Sequence, residues 1–184
     1  MFTQQIQFEL NMAQKLPRIK KEMSTLQLNP PEGISCWFKD GNDFTHLKAV
    51  IAGLIGTPYQ GGKFDIEITI PERYPFEAPG VRFTTPVYHP NIDNRGRICM
   101  DLLKSQPTGT WKPTIHLSHL LISVQLLLSE PNPNDPLMPE IAEEFLKNRE
   151  KFNATARSWT AEHATKSRHL EKGLEEPDSK RRKV

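Results

Sequence analysis

Cysteine is scarce in this chain. There are two in 184 residues, Cys36 and Cys99, far apart and without C-x-x-C spacing, which argues against a disulfide framework and for free thiols in a reducing compartment. No apolar run approaches the ~18 residues that would cross a bilayer, and the opening MFTQQIQFEL lacks the apolar core of a signal peptide, so a soluble protein without a membrane partner is expected. Glycine forms no phosphate-cradling motif, and the chain has no internal repeats. His116 and His119 stand three apart, but no carboxylate or third ligand is spaced to join them, so a metal centre is not expected. The formal charge of +2 excludes no class of partner.

What is abundant is proline, sixteen residues against a usual frequency of ~5%. The prolines gather in YPFEAP, TPVYHP, WKP and SEPNPNDPLMP, which predicts long, ordered surface loops. Residues 1–14 are polar and read as an N-terminal extension, with Pro17 predicting a break before the first firm helix. From Arg18, the apolar positions Ile19, Met23 and Leu26 give an amphipathic helix that ends before Pro30-Pro31.

Four strands follow: Ile34 to Phe38, Leu47 to Ile55, Lys63 to Ile70 and Val81 to Thr84. The second is apolar on both faces, as a central strand would be. The third alternates cleanly, Phe64, Ile66, Ile68 and Ile70 against Lys63, Asp65, Glu67 and Thr69, with Gln60-Gly61-Gly62 as the turn before it. Leu117 to Ser129 is a helix apolar nearly all round and therefore central and buried. Residues 137–148 and 150–168 are two more helices, the second with Phe152, Ala156, Trp159 and His163 on one face. Strands in succession predict an α+β fold: an N-terminal helix, a four-stranded antiparallel meander sheet, a loop, then three helices on one face. The division is extension 1–14, one folded domain 15–168, and a tail 169–184 of disordered composition. That tail ends in the basic run Lys180 to Lys183, a nuclear address, a nucleic-acid contact or plain solubility.

The segment YHPNIDNRGRICMDLL, Tyr88 to Leu103, places Cys99 eight residues after Asn91 across a polar, glycine-containing turn. A cysteine flanked by Ile98 and Met100 is most often a small buried hydrophobe. Its context adds more. His89-Pro90-Asn91, Cys99 and the later Pro131-Asn132-Pro133-Asn134-Asp135-Pro136, in that order, resemble the ubiquitin-conjugating enzymes, the carriers of the ubiquitin cascade. The resemblance spans about residues 17–165. PPEGISCW, IPERYPFE, GRICMDLLK, the extended GTWKP loop and SEPNPNDPLM are similar to the T-type branch of that family, which serves Fanconi anaemia crosslink repair. Departures from that pattern are Ala78 where proline is common, Asn134 where an acid is, and the sequence before residue 15.

The resemblance implies that Cys99 takes ubiquitin from the activating enzyme as a thioester and passes it to a substrate lysine. No cofactor is implied, since ATP is used by the upstream partner. A carrier needs a thiolate that both attacks and leaves, and transthiolation needs no dedicated base. Asn91 is the candidate oxyanion donor, with fastening of the loop as the alternative. Asp135 stands at the family's acidic gate and Asp101 is a second residue to position the lysine, although aspartates in such loops are ordinarily turn formers. His89 and Pro90 are implied to hold the loop. Leu102, Leu103 and Leu117 are implied contacts of the donor ubiquitin. Arg18, Arg73, Phe76, Lys112 and Pro113 are implied contacts of a RING-type ligase. A nuclear, and additionally cytoplasmic, repair protein that attaches single ubiquitins is the expectation, with nucleic acid met only through the basic tail. Two rivals remain open: a carrier of another ubiquitin-like modifier, and a non-catalytic scaffold of the same fold, which would lack the cysteine.

Overall fold

The computed structural model describes residues 2–41 and 43–165. The order is α1 (Phe2–Leu28), β1 (Ile34–Asp40), β2 (Asp43–Ala52), β3 (Lys63–Thr69), β4 (Gly80–Phe83), a 3-10 turn (Asp101–Leu103), α2 (Leu117–Ser129), α3 (Pro139–Lys147) and α4 (Arg149–His163). The strands pair antiparallel in the order β1-β2-β3-β4, so this is the α+β meander expected from the strand succession. Register follows the alternation: Ile51 faces Phe64 and Ile66 faces Phe83 across the sheet, and Phe64, Ile66 and Ile68 are all buried. Against that face lies α2, whose Leu117, Leu120, Leu121, Val124 and Leu128 are buried. An α-helix laid across one face of a twisted sheet closes the core and leaves the other face to water.

Four sequence expectations need correction. The helix does not begin after Pro17; α1 runs through it. Proline removes one helical hydrogen bond, yet Lys15, in the turn just before it, is buried and its Nζ donates to the Ile70 carbonyl at 3.4 Å, a tertiary contact that no helix propensity encodes. Second, β2 is not apolar on both faces: Leu47, Ala49 and Ile51 are buried, while His46, Lys48 and Val50 lie on the open side, exposed or half-buried. It starts at Asp43 and stops at Ala52 rather than running from Leu47 to Ile55, since the chain turns away at Gly53, whose amide donates to the Gly62 carbonyl at 3.0 Å. Third, α2 is not buried all round, for Leu126 is 49% exposed. Fourth, α4 ends at His163, capped by the Ala164 amide donating to the Thr160 carbonyl. The expected continuation to 168 and the tail with Lys180 to Lys183 lie outside the described residues.

Candidate active site

The loop between β4 and α2 is built on one tight turn. Asp93 Oδ1 accepts from the amides of Arg95 and Arg97, each at 2.9 Å, and the Gly96 amide donates to the Asp93 carbonyl at 2.8 Å. Gly96 has φ +77, and a Cβ there would stand 1.8 Å from the Phe83 carbonyl oxygen, so only glycine fits. The turn sends the chain back on itself: Ile92 bridges Ile98, and the Cys99 amide donates to the Asn91 carbonyl at 2.9 Å. Cys99 is thereby placed beside Asn91, as the turn residues between them suggested.

Beneath the thiol lies a fully satisfied polar platform. His89 has no exposed surface; its Nε2 donates to the Leu127 carbonyl at 2.9 Å and its Nδ1 accepts from the Asn91 amide at 3.0 Å. Those partners fix the neutral Nε2-protonated tautomer, and burial lowers its pKa to about 3 against the weaker opposing effect of the Leu127 carbonyl. The buried Pro90 offers its carbonyl to two amides, those of Leu137 and Met138, both at 2.9 Å. Asn91 is equally closed in. Its Nδ2 donates to the carbonyls of Asn132 at 2.7 Å and Asp135 at 3.0 Å, and its Oδ1 accepts from the Asn132 amide at 2.8 Å. Every polar atom of this side chain ties the Cys99 loop to the Asn132–Met138 loop.

That tie delivers a carboxylate to the thiol. Cys99 Sγ donates to Asp135 Oδ2 at 3.1 Å, across 36 residues of sequence. The Cys99 pKa is raised, first by partial burial, then by the hydrogen bond and charge of Asp135, with Lys104 pulling the other way. A thiol held protonated is a poor nucleophile toward unactivated carbonyls, and it suits exchange with an acyl group that arrives already activated. Asp101 begins the 3-10 turn, is 64% exposed and pairs with Lys104 Nζ at 3.1 Å. Leu102 and Leu103 are half-buried beside it.

Leu117 requires a correction, since it is wholly buried at the first turn of α2 and presents nothing to a partner; apolar periodicity gave the helix but not which leucines face out. Among the other expected contact residues, Phe76 is 53% exposed, and Lys112 and Pro113 are exposed. Arg73 is exposed and pairs with Glu77 at 3.1 Å. Trp111 is buried with its Nε1 donating to the Pro75 carbonyl at 2.8 Å, which docks the Trp111 and Pro75 loops together. Arg18 is only partly exposed and turned inward: it pairs with Glu22 and donates to the Ile115 carbonyl at 3.1 Å.

Glu22 is the residue that sequence reasoning missed. It is 4% exposed, accepts from the Tyr74 hydroxyl at 3.0 Å on both oxygens, and takes the Leu117 amide at 2.7 Å, satisfying an orphan donor at the start of α2. Its one sequence signal is position, for it sits between Ile19 and Met23 on the buried face of α1.

Among the described residues no group of three or more His, Cys, Asp or Glu could hold a metal ion, and no helix is long and apolar enough to cross a membrane.

Comparison with known proteins adds an independent finding. The profile of the family described as ubiquitin-conjugating enzyme matches residues 18–160. The chain is 52% identical over 167 residues to "Ubiquitin-conjugating enzyme E2 T" of Danio rerio, covering 91% of this chain and 84% of that one. It is 52% identical to the Xenopus laevis protein of that name over 151 residues, covering 82% and 78%. With the Homo sapiens protein of that name the identity is 51% over 151 residues, covering 82% and 76%.

Proposed function

The chain belongs to the ubiquitin-conjugating enzyme family, and on that premise we propose that Cys99 accepts ubiquitin as a thioester and that Asp135 directs its transfer to a lysine. The chain is thus a ubiquitin transferase of the E2 T type, whose partners as a class are ubiquitin, the activating enzyme and a ligase. The observation that carries the site assignment is the 3.1 Å approach of Asp135 Oδ2 to Cys99 Sγ. In charging, Cys99 loses its proton, attacks the incoming thioester carbonyl and expels the upstream thiolate. In discharge, a lysine amine replaces Cys99, which leaves as thiolate. That amine has a reference pKa of ~10.4 and must shed a proton first. Asp135, exposed on the loop rim, is the carboxylate that receives and orients the ammonium group; Asp101 extends the acidic rim. ATP is spent upstream, and this chain needs no cofactor of its own.

Asn91 holds the two loops together. It serves a developing oxyanion only by releasing one carbonyl, and the longer bond, to Asp135, is the one to yield. Phe76, Lys112 and Pro113 are exposed on two loops that the Trp111–Pro75 hydrogen bond joins, and an exposed aromatic there, the kind of anchor that dominates small interfaces, supports docking of a RING-type ligase with Arg73 on the same loop as Phe76. Arg18 serves that surface indirectly, by bracing α1 against Ile115. Half-buried Leu102 and Leu103 support a donor-ubiquitin contact. The likeness to E2 T, with the basic run Lys180 to Lys183, supports a nuclear role in DNA crosslink repair within the Fanconi anaemia pathway, by attachment of single ubiquitins.

The test is a non-reducing gel after mixing the protein with activating enzyme, ATP and ubiquitin, with parallel lanes holding other ubiquitin-like modifiers. A reductant-sensitive adduct of one ubiquitin, converted to a reductant-resistant ester in Cys99→Ser, is expected. Failure with ubiquitin alongside charging by another modifier would overturn the assignment of cargo.

A further inference from the structure

A groove of about 720 Å³ is lined by none of the residues assigned to the transfer. Its walls are the end of β4 and the following Thr84–Val87 segment, the Asp93–Gly96 turn, and the ring of Trp159 from α4. Two guanidinium groups, of Arg82 and Arg95, stand on it. Arg82 shares its charge with Glu67. The one acid lining the groove, Asp93, already accepts from two amides and from Arg97 Nε at 2.6 Å, so the net field at the mouth is positive. An indole wall beside an exposed arginine suits a short segment that is both acidic and apolar.

The chain carries such a segment close by. The Ala164 carbonyl accepts from the Lys63 amide at 2.8 Å, and two residues along β3 the Asp65 carbonyl accepts from the Thr84 amide, also at 2.8 Å. The last described residues therefore leave the fold about 7 Å along the strand from the groove wall. Eight residues beyond Thr165 comes Gly173-Leu174-Glu175-Glu176-Pro177-Asp178, three acids and one leucine with no cation among them. The seven intervening residues span up to ~25 Å when extended, ample for a return over that distance. Attachment at that point would hold the segment at an effective concentration of about millimolar.

We propose that residues 173–178 dock in this groove on the same molecule, Leu174 against Trp159 and the acids toward Arg95 and Arg82. The groove shares the Asp93–Gly96 turn with the loop that carries Cys99, so the docked segment would brace that turn.

The experiment compares isotope-labelled full-length protein with the Glu175→Lys/Glu176→Lys/Asp178→Lys variant by NMR. The Trp159 indole and the Asn94, Arg95 and Gly96 amides are the reporters. The expected result is a shift at those signals in the variant, a matching shift in Arg95→Glu, partial return when the two are combined, and a smaller difference at 0.5 M salt. Removal of residues 180–184 alone should leave the reporters where they are. Unchanged reporters in the charge-reversed variant would overturn the proposal. So would a perturbation that grows with protein concentration, which would assign the groove to a second copy of the chain. All the substituted positions are exposed or lie outside the described fold, and the unaffected signals of β1–β3 report that the fold is kept.

Discussion

The two cysteines are the same side chain in two settings. Cys36 is on β1 and packs its sulfur 3.9 Å from that of Met23 on α1; burial pushes its thiol up to about 12, against a small opposing effect of the Trp37 amide. Cys99 is on a loop, only partly covered, 3.1 Å from a carboxylate. Both thiols are held protonated, and burial comes first in each: at Cys36 it acts almost alone, while at Cys99 it is joined by the hydrogen bond and charge of Asp135. Burial is fixed by the fold. The contribution of Asp135 is removed when a cation arrives or when the sulfur is acylated, so the state of Cys99 is adjustable and that of Cys36 is not.

The sharpest way to break this contrast is Cys99→Ser, which should abolish the thioester entirely while Cys36→Ser charges normally on the same gel; a reducible adduct on the Cys99 variant would show that the Cys36 thiol is reachable. Next is Asn91→Ala. It strands the Asn132 amide and two carbonyls, each costing about 1–3 kcal/mol if buried and unpaired, so the Asp135 loop should loosen and discharge to free lysine should fall roughly 10²–10³-fold. Single-turnover assays at fixed thioester concentration measure it. Asp135→Asn removes the negative neighbour alone: Cys99 should alkylate faster at neutral pH because only burial then holds its thiol up, while lysine discharge slows by roughly 10²-fold. Opposite signs in the two assays separate a gate from a mere structural loop.

Acid should act on the Cys99 platform first. His89 has its pKa depressed to about 3, so the folded protein binds fewer protons than the unfolded chain between that value and ~6.5. Stability present above pH 6.5 is lost as pH falls, by roughly 3 kcal/mol at pH 4, and a His89→Gln variant followed by thermal melts should lose that dependence. The smallest effect belongs to Cys36→Ala, about 1 kcal/mol of lost packing against Met23, with charging unchanged.

How far the sequence reached can be read from the same residues. The period-two pattern of Phe64, Ile66 and Ile68 predicts a strand and its buried face because both follow from the geometry of one segment. The turn at Asp93–Gly96 was visible for the same reason, its residues being the ones that local hydrogen bonds and positive φ demand. Leu117 and Glu22 were misjudged or missed because their neighbours are 95 residues apart in sequence, and α1 was cut at Pro17 because the support of Lys15 comes from Ile70. The gate falls between these cases. Motif order brought Cys99, Asn91 and Asp135 together, but that Asn91 achieves this with both amide hydrogens on backbone carbonyls is a property of three-dimensional placement alone.

The Pro90 carbonyl, shared by the Leu137 and Met138 amides, has a consequence for how the protein is made. The two segments it joins lie on either side of α2, so their union closes a long stretch of chain at a cost in closure entropy that the packing of that helix helps to offset. The carboxylate stands beside the thiol only where these two segments have met, so the site is a property of the closed chain and of neither segment alone.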